Sequence, residues 1–333
     1  MKDDTILELQ NVSRIYRRKS GKDVQIVQAA HEVNFKLQRQ RVLAIVGESG
    51  SGKTTIARLV TGVEKPTSGT VLFEAKAVQT KNRRALFEYH RAVQMVFQDP
   101  YASINPLKTI EYTLTRPLVN YLGLSPKAAE SRVREAMETV HLTPVDEFIR
   151  KLPFELSGGQ LQRVVIARAL APEPRLIVAD EPVSMLDVSI RAEILSLLGE
   201  LRSKKGVSFL YITHDLISAR ALADDILVLY RGHVVEQGNA RVVARDPKHP
   251  YTQLLLRSIP NPWQEDQEKS PAAESIERAT VSVPAQGCVF QARCPFVMDK
   301  CLDGEPSLRE LGDGRSVACF LHHKETVETG GHA

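Results

Sequence analysis

One eight-residue stretch, Gly47-Glu48-Ser49-Gly50-Ser51-Gly52-Lys53-Thr54, limits what this chain can fold into more than any other feature. It fits the pattern G-x-x-x-x-G-K-[ST] and follows an unbroken apolar run, Val42-Leu43-Ala44-Ile45-Val46. Such a run suits a strand buried on both faces of a sheet. Thr55 to Thr61 then read as helical. Strand, glycine loop and helix in that order make an anion cradle, because glycines let successive backbone N–H groups turn toward one phosphate and the helix N-terminus adds a favourable dipole. The pattern places Gly47 through Thr55 around a nucleotide's phosphates. Lys53 is expected to reach the β- and γ-phosphates, and the Thr54 hydroxyl to sit on Mg²⁺.

A loop of this kind needs an acidic partner at the end of another strand. Leu176-Ile177-Val178-Ala179-Asp180 supplies it, with Asp180 expected in the magnesium shell. Glu181 follows at once, and a carboxylate beside the metal-binding Asp can polarise an attacking water as general base.

Strand and helix patterns alternate along the rest of the chain. Ile6–Leu9, Val24–Val27 and Val33–Leu37 have strand spacing, and Phe209–Ile212 is another short apolar run. The stretch from about Pro100 to Arg168 turns helical, as does Arg191–Leu201, and a hairpin is predicted to turn at Arg231-Gly232. This alternation predicts an α/β fold with a mostly parallel sheet. Residues 260–286 are rich in Pro, Glu, Gln and Ser and read as a linker.

Leu156-Ser157-Gly158-Gly159-Gln160 carries a resemblance that the other motifs reinforce. With the phosphate loop and Asp180-Glu181 in this order, the chain resembles the ABC ATPases over residues 5–240. The resemblance implies a P-loop NTPase fold of ABC type: a mixed sheet core, an antiparallel β subdomain and a helical subdomain at about residues 100–168. It implies two cassettes facing head to tail, with each ATP between one phosphate loop and the other subunit's residues 156–160. Ser157 and its glycines, at a helix start, can approach a γ-phosphate closely. Gln98, in Val96-Phe97-Gln98-Asp99-Pro100, resembles the glutamine that senses metal and γ-phosphate, so Mg²⁺ is expected on Thr54, Gln98 and Asp180. Ser184-Met185-Leu186-Asp187 resembles the D-loop, with Met185 a departure that leaves Ser184 and Asp187 intact. His214 resembles the switch histidine, a second catalytic residue beside Glu181. Tyr16 stands where an aromatic stacks on adenine.

Finer features resemble the oligopeptide/dipeptide importer branch: Phe97 to Pro106, Leu186 to Arg191, His249-Pro250-Tyr251-Thr252, and Gly287-Cys288-Val289-Phe290 followed by Arg293-Cys294-Pro295. That branch takes up peptides, nickel or oligosaccharides, and the ATPase does not touch the cargo. The partners implied are two permease subunits, a second and distinct ATPase, and an extracytoplasmic solute-binding protein. The surface from Tyr101 to Pro106 and on to about Arg150 is expected to receive a coupling helix.

All four cysteines fall in the tail, Cys288-x5-Cys294-x6-Cys301-x17-Cys319. Four thiolates gathered after a cysteine-free stretch suggest a ligand set, for Zn²⁺ or a [4Fe–4S] cluster. Small buried thiols without a ligand are the third reading. Resemblance to the branch's tail favours the cluster. The domain reading is therefore an ATPase domain at 1–259, the linker at 260–286, a cysteine domain at 287–321 and a flexible tail at 322–333.

Composition narrows the classes. The formal charge is +4, from 44 basic against 40 acidic residues, too small an excess to argue for nucleic acid. No apolar run reaches the roughly 18 to 20 residues needed to cross a bilayer, and the start of the chain is charged. The expected location is peripheral, at the cytoplasmic face of the inner membrane. Two competing readings are a soluble ABC ATPase acting on nucleic acid or the ribosome, and a regulatory subunit whose cysteines sense iron or redox state.

Overall fold

The computed structural model describes residues 4–20, 23–257 and 286–323. The expected linker at 260–286, but for its last residue, and the expected tail beyond His323 lie outside the described residues.

The chain opens with two strands of 16 residues, β1 (Thr5–Ser20) and β2 (Asp23–Gln38), paired antiparallel. The sequence pattern shows them as shorter pieces because the register shifts between Leu9 and Val12 and again between Arg14 and Ile15. Each shift breaks the in-out alternation, as β-bulges do. With β4 (Ser68–Phe73) and β5 (Lys76–Ala77) these strands form a four-stranded sheet ordered β2-β1-β4-β5.

The second sheet carries the functional loops. Its parallel part comprises β3 (Val42–Val46), β6 (Val93–Val96), β7 (Leu176–Asp180), β8 (Ser208–Thr213) and β9 (Asp225–Tyr230). All five residues of β3 and of β7 are buried. The unbroken apolar run of β3 is explained by two cores. Leu43 and Ile45 join a core with Ile56 and Leu59 of α1 (Lys53–Val60) and the antiparallel sheet, whereas Val42, Ala44 and Val46 join the core on the other face. Each fully buried aliphatic side chain there contributes about 1.5–3 kcal/mol, so a charge at Ile45 would be tolerated poorly. β6 is a strand that the sequence pattern does not announce, since it has four residues with Gln94 among them.

The expected helical region is a lobe of α4 (Ile110–Leu122), α5 (Pro126–Thr139) and α7 (Gly158–Leu170), with the short α3 (Pro100–Ser103) and α6 (Val145–Phe148) at its edges. Local chemistry sets the corner between α4 and α5. Gly123 closes α4 in the left-handed conformation at φ 68°, and Ser125 caps α5 with Pro126 in its first turn. α2 (Arg83–Ala92), α8 (Val188–Lys205) and α9 (Leu216–Leu222) flank the sheet.

β10 (His233–Asn239) turns back antiparallel on β9 at Arg231-Gly232, as predicted. The cysteine-bearing segment is built onto this edge. Its β12 (Ser316–Val317) pairs with β10, and β11 (Arg309–Glu310) pairs with β12, giving the order β11-β12-β10-β9-β3-β8-β7-β6. Phe290 is fully buried against Tyr230 and against Tyr251 of α11 (Pro250–Arg257), with ring centroids 5.2 and 5.6 Å away.

Candidate active site

The loop between β3 and α1 turns where only glycine fits. A Cβ on Gly52, at φ 107°, would lie 2.1 Å from the Ala29 carbonyl oxygen, and one on Gly47 would lie 2.2 Å from that of Leu229. The loop is thereby wedged between β2 and β9, with Ser49 and Gly50 exposed at its tip. Lys53 is buried and its Nζ donates to the carbonyls of Gly47 and Glu48 at 2.7 and 2.8 Å. Burial lowers the Lys53 pKa, while Glu181, Asp180 and Glu48 oppose the shift. The Ser51 hydroxyl is buried without a hydrogen-bond partner inside this cradle. An orphaned hydroxyl and a desolvated ammonium are what a phosphate group would satisfy.

Facing the loop, Glu181 directly follows β7 with φ at 47°, a strained conformation for a non-glycine residue. Three side chains converge on its carboxylate. Gln98 Nε2 donates to Oε2 at 3.2 Å, His214 Nδ1 stands 3.2 Å from the same oxygen, and Lys53 Nζ is 3.8 Å from Oε1. Asp180 is buried, and desolvation raises its pKa against a hydrogen bond from the Thr54 side chain. Thr54 and Asp180 thus meet at one end of the loop and Gln98 lines the same cleft; hydroxyl, carboxylate and amide oxygens are donor types suited to Mg²⁺. The intervening cleft holds about 940 Å³ and is lined by Lys53, Thr54, Thr55, Gln98, Glu181 and His214, among others.

The segment 156–160 lies elsewhere, and none of its residues lines this cleft. Leu156 is buried as an anchor. Ser157 caps α7 through a reciprocal capping box, its Oγ accepting from the Gln160 N–H at 3.3 Å and Gln160 Oε1 accepting from the Ser157 N–H at 3.0 Å. The Gln160 side chain is therefore occupied within its own helix. Gly158 packs on Leu186, and a Cβ on Gly159 would come 2.7 Å from Ile190 Cγ2. This contact puts residues 156–160 and 184–187 on one face. Ser184 Oγ donates to the Glu181 carbonyl at 3.0 Å, and Asp187 is exposed at the N-cap of α8 with no side-chain cap bond.

Two expected residues are engaged differently from the sequence reading. The Glu48 carboxylate turns away from the cradle to Arg293, and its N–H donates to the Tyr251 hydroxyl at 2.8 Å. Tyr16 does not line the cleft. Its hydroxyl donates to Glu64, and the Arg14 guanidinium covers its ring at 4.7 Å. Across the β1–β2 pair Tyr16 faces Val27, two residues before the Ala29 that touches Gly52. Arg293 and Tyr251, which brace the loop from the far end of the chain, have no local signal in the sequence beyond the branch resemblance of their segments.

The four thiols are free; Cys288, Cys301 and Cys319 are buried and Cys294 is half-buried. Burial pushes Cys288 and Cys319 up to about 11, and the neighbouring cysteines reinforce the rise. Among the described residues, only His31, His233 and Glu305 bring three such ligand atoms within 4.8 Å of one another. One tetrahedral Zn²⁺ with Zn–S bonds of about 2.3 Å would hold sulfurs about 3.8 Å apart, closer than three of these thiols come.

Comparison with known proteins adds to this geometry. Residues 30–184 match the family described as ABC transporter, and residues 235–301 match the oligopeptide/dipeptide transporter C-terminal region. The di/tripeptide transport ATP-binding protein DppF of Pseudomonas aeruginosa is 39% identical over 324 residues, covering 97% of this chain and 98% of its own. Among solved structures, cbiO1 of Clostridium perfringens, part of the transporter complex cbiONQ, superposes with a TM-score of 0.64 at 28% identity, covering 73% of this chain and 92% of its own. The dimeric ATP-binding cassette MJ0796 bound to ADP and Pi superposes with a TM-score of 0.63 at 32% identity, covering 71% and 99%.

Proposed function

The chain belongs to the ATP-binding subunits of ABC transporters, in the oligopeptide/dipeptide import branch, and from that premise we propose that it hydrolyses ATP to energise uptake of oligopeptides or dipeptides through partner permeases. The observation that carries the reading is the convergence of Gln98, His214 and Lys53 on the Glu181 carboxylate at the mouth of the phosphate loop.

In this reading Lys53 neutralises the β- and γ-phosphate oxygens from its buried position, and the loop N–H groups hold them in line. Thr54, Asp180 and Gln98 would hold Mg²⁺, which would supply positive charge to offset that of the phosphates. Glu181 accepts the proton of the attacking water, while His214 and Gln98 hold its carboxylate in place. Tyr16 supplies a face for adenine after releasing Glu64. Leu156, Ser157, Gly158, Gly159 and Gln160 form a helix entry that closes on the nucleotide of a second cassette, with Ser184 and Asp187 beside it. Their position away from their own chain's cleft, with Ser157 and Asp187 exposed, supports this. The second cassette is a distinct ATPase in the assembly the resemblance implies, and an extracytoplasmic binding protein delivers the cargo.

The permease contact falls on the lobe near α3 and α4, where Phe97, Tyr101, Leu107 and Tyr112 are exposed together, Leu107 by 82%. Among the described residues no helix is long and apolar enough to cross a membrane, so attachment at the cytoplasmic face runs through these contacts. Cys288, Cys294, Cys301 and Cys319 are assigned a [4Fe–4S] cluster. The support is their four free thiols in one small unit, at a spacing too wide for a single ion. Such a cluster would supply a structural or redox-sensing centre, with no part in ATP chemistry.

The test is ATP turnover and peptide uptake in proteoliposomes holding the whole transporter. Glu181→Gln is expected to cut turnover by about 10²–10⁴ while leaving ATP binding in place. Unchanged turnover would remove Glu181 as the base. ATP turnover that no peptide stimulates, with no peptide taken up, would remove the cargo assignment.

A further inference from the structure

A second cluster of ligand-type side chains lies at the start of β10, where three separate parts of the chain meet. His31 comes from β2, His233 from the start of β10 and Glu305 from the cysteine-bearing unit. His233 Nδ1 lies 2.6 Å from Glu305 Oε1, and His31 Nε2 lies 3.9 Å from Glu305 Oε2. The two imidazoles stand 4.5 Å apart, centroid to centroid. The His31–Glu305 separation is too long for a hydrogen bond.

These distances bracket what a small cation needs. Zn²⁺ bonded to nitrogen and oxygen at about 2.0–2.2 Å sets neighbouring ligand atoms about 3.3 Å apart. The ligand types also fit, since two neutral imidazoles and one carboxylate suit borderline transition-metal ions. Gln28 meets the other ring nitrogen, His31 Nδ1, through its side-chain amide; with the amide oxygen turned to accept from Nδ1–H, as around metal-bound imidazoles, the ring is fixed and Nε2 is left unprotonated toward the carboxylate. The adjoining cavity of about 350 Å³ leaves room for water to complete a coordination shell. No Lys or Arg lines that cavity to compete for Glu305.

We propose that His31, His233 and Glu305 bind one divalent transition-metal cation of the zinc type, distinct from any ion or cluster on the four cysteines. The ion ties the C-terminal unit to the body of the ATPase next to the phosphate loop. The path is short: the His31 N–H donates to the Gly232 carbonyl at 2.9 Å, and the Gly232 N–H donates to the Ser51 carbonyl at 2.7 Å. On binding, the His233–Glu305 hydrogen bond opens, the neutral His233 ring carries its proton on Nε2 in place of Nδ1, and Nδ1 and the carboxylate turn to the metal. The site stands on its own geometry and does not depend on the transport reading.

The test uses the full chain, stripped of metal and titrated with Co²⁺, whose spectrum separates the two kinds of site. Cysteine ligation gives an intense thiolate charge-transfer band; a His/His/Glu site gives weak ligand-field bands without it. Wild type is expected to take up one Co²⁺ without thiolate absorbance, displaced by Zn²⁺. Glu305→Gln, on an exposed side chain, and His233→Asn should lose that ion and leave the thiolate band unchanged. Gln28→Ala should weaken it about 10–100-fold. Zn²⁺ should raise the melting temperature of wild type by more than that of Glu305→Gln, which reads the same site without relying on colour. Absence of a non-thiolate Co²⁺ in folded wild type, or its persistence in the Glu305→Gln and His233→Asn proteins, overturns the assignment.

Discussion

Arg293 grips both carboxylate oxygens of Glu48, at 2.8 and 2.9 Å, across 245 positions of the chain. The bidentate geometry is the strongest a guanidinium offers, and the Glu48 bond pushes the Arg293 pKa up. Glu48 is the second residue of the phosphate loop, and its carbonyl accepts from Lys53. Whatever state the cysteine unit is in, the pair connects it to the loop that holds phosphate.

Cutting that pair should therefore be felt at the nucleotide. Arg293→Ala is expected to cost about 2 kcal/mol of stability, since it strips a half-buried carboxylate of two charge-assisted bonds. It should also raise the KM for ATP more than it lowers kcat, because Lys53 and Glu181 remain in place. Urea melts and steady-state ATPase assays on Arg293→Ala and Glu48→Gln check both. If Arg293→Ala leaves both stability and KM at the wild-type values, the pair is a surface contact only.

Much of the core site was legible in the sequence for a local reason. The glycine loop that leads into Lys53 and Thr54 follows β3 directly, and Asp180 ends β7 with Glu181 next to it, so the apolar runs of β3 and β7 announce where the functional groups emerge. Gln160 was legible as a motif residue, yet its capping bond to Ser157 shows that the same side chain first serves its own helix. What could not be read are contacts made only by the folded sheet. Nothing near Glu48 signals Arg293, nothing near Tyr16 signals Glu64, and His31, His233 and Glu305 are ordinary polar residues until β10 brings them together. β1 and β2 were blurred by their bulges, which erase the two-residue alternation that marks a strand.

The contact between Gly159 and Ile190 gives a steric prediction on the face proposed to meet a second cassette. A methyl at Gly159 would sit 2.7 Å from Ile190 Cγ2, a branch atom that cannot swing away without a rotamer change. Gly159→Ala is expected to cost about 1–3 kcal/mol and to suppress turnover by misplacing Ser157. Ile190→Ala removes the obstructing methyl, so the double variant should recover part of the stability lost. A double-mutant cycle by urea denaturation measures this; strictly additive losses would show that the two residues do not collide.

Leu107 offers a way to separate coupling from catalysis. Its side chain is 82% exposed, Tyr101 and Tyr112 of the same segment are exposed too, and it does not line the nucleotide cleft. Leu107→Asp is expected to leave the fold and the basal ATPase of the isolated chain near wild type, because the charge stays in water. In the assembled transporter it should abolish peptide-stimulated turnover by placing a carboxylate against an apolar coupling segment. Retained stimulation would move the docking surface elsewhere on the lobe.

His249 makes the fold sensitive to acid. Its ring is fully buried, its Nδ1 accepts from the Tyr251 N–H at 3.0 Å, and the backbone N–H of His249 donates to Glu236 at 2.9 Å. Burial, with help from His322, lowers its pKa to about 3. The unfolded chain binds a proton at this group below about pH 6.5, and the folded chain does not until about pH 3. Stability from this group is thus complete above about pH 6.5 and is lost as pH falls through that window, by up to about 1.4 kcal/mol per pH unit. Glu236 acts in the opposite sense, because burial raises its pKa and favours the folded form when it is protonated. A variant separates the two. Asn at position 249 can accept from the Tyr251 N–H as a helix cap but cannot titrate, so His249→Asn should flatten the slope between pH 7 and 5. Denaturant melts across that range measure the slope, and an unchanged slope in His249→Asn would show that the acid sensitivity lies in other groups.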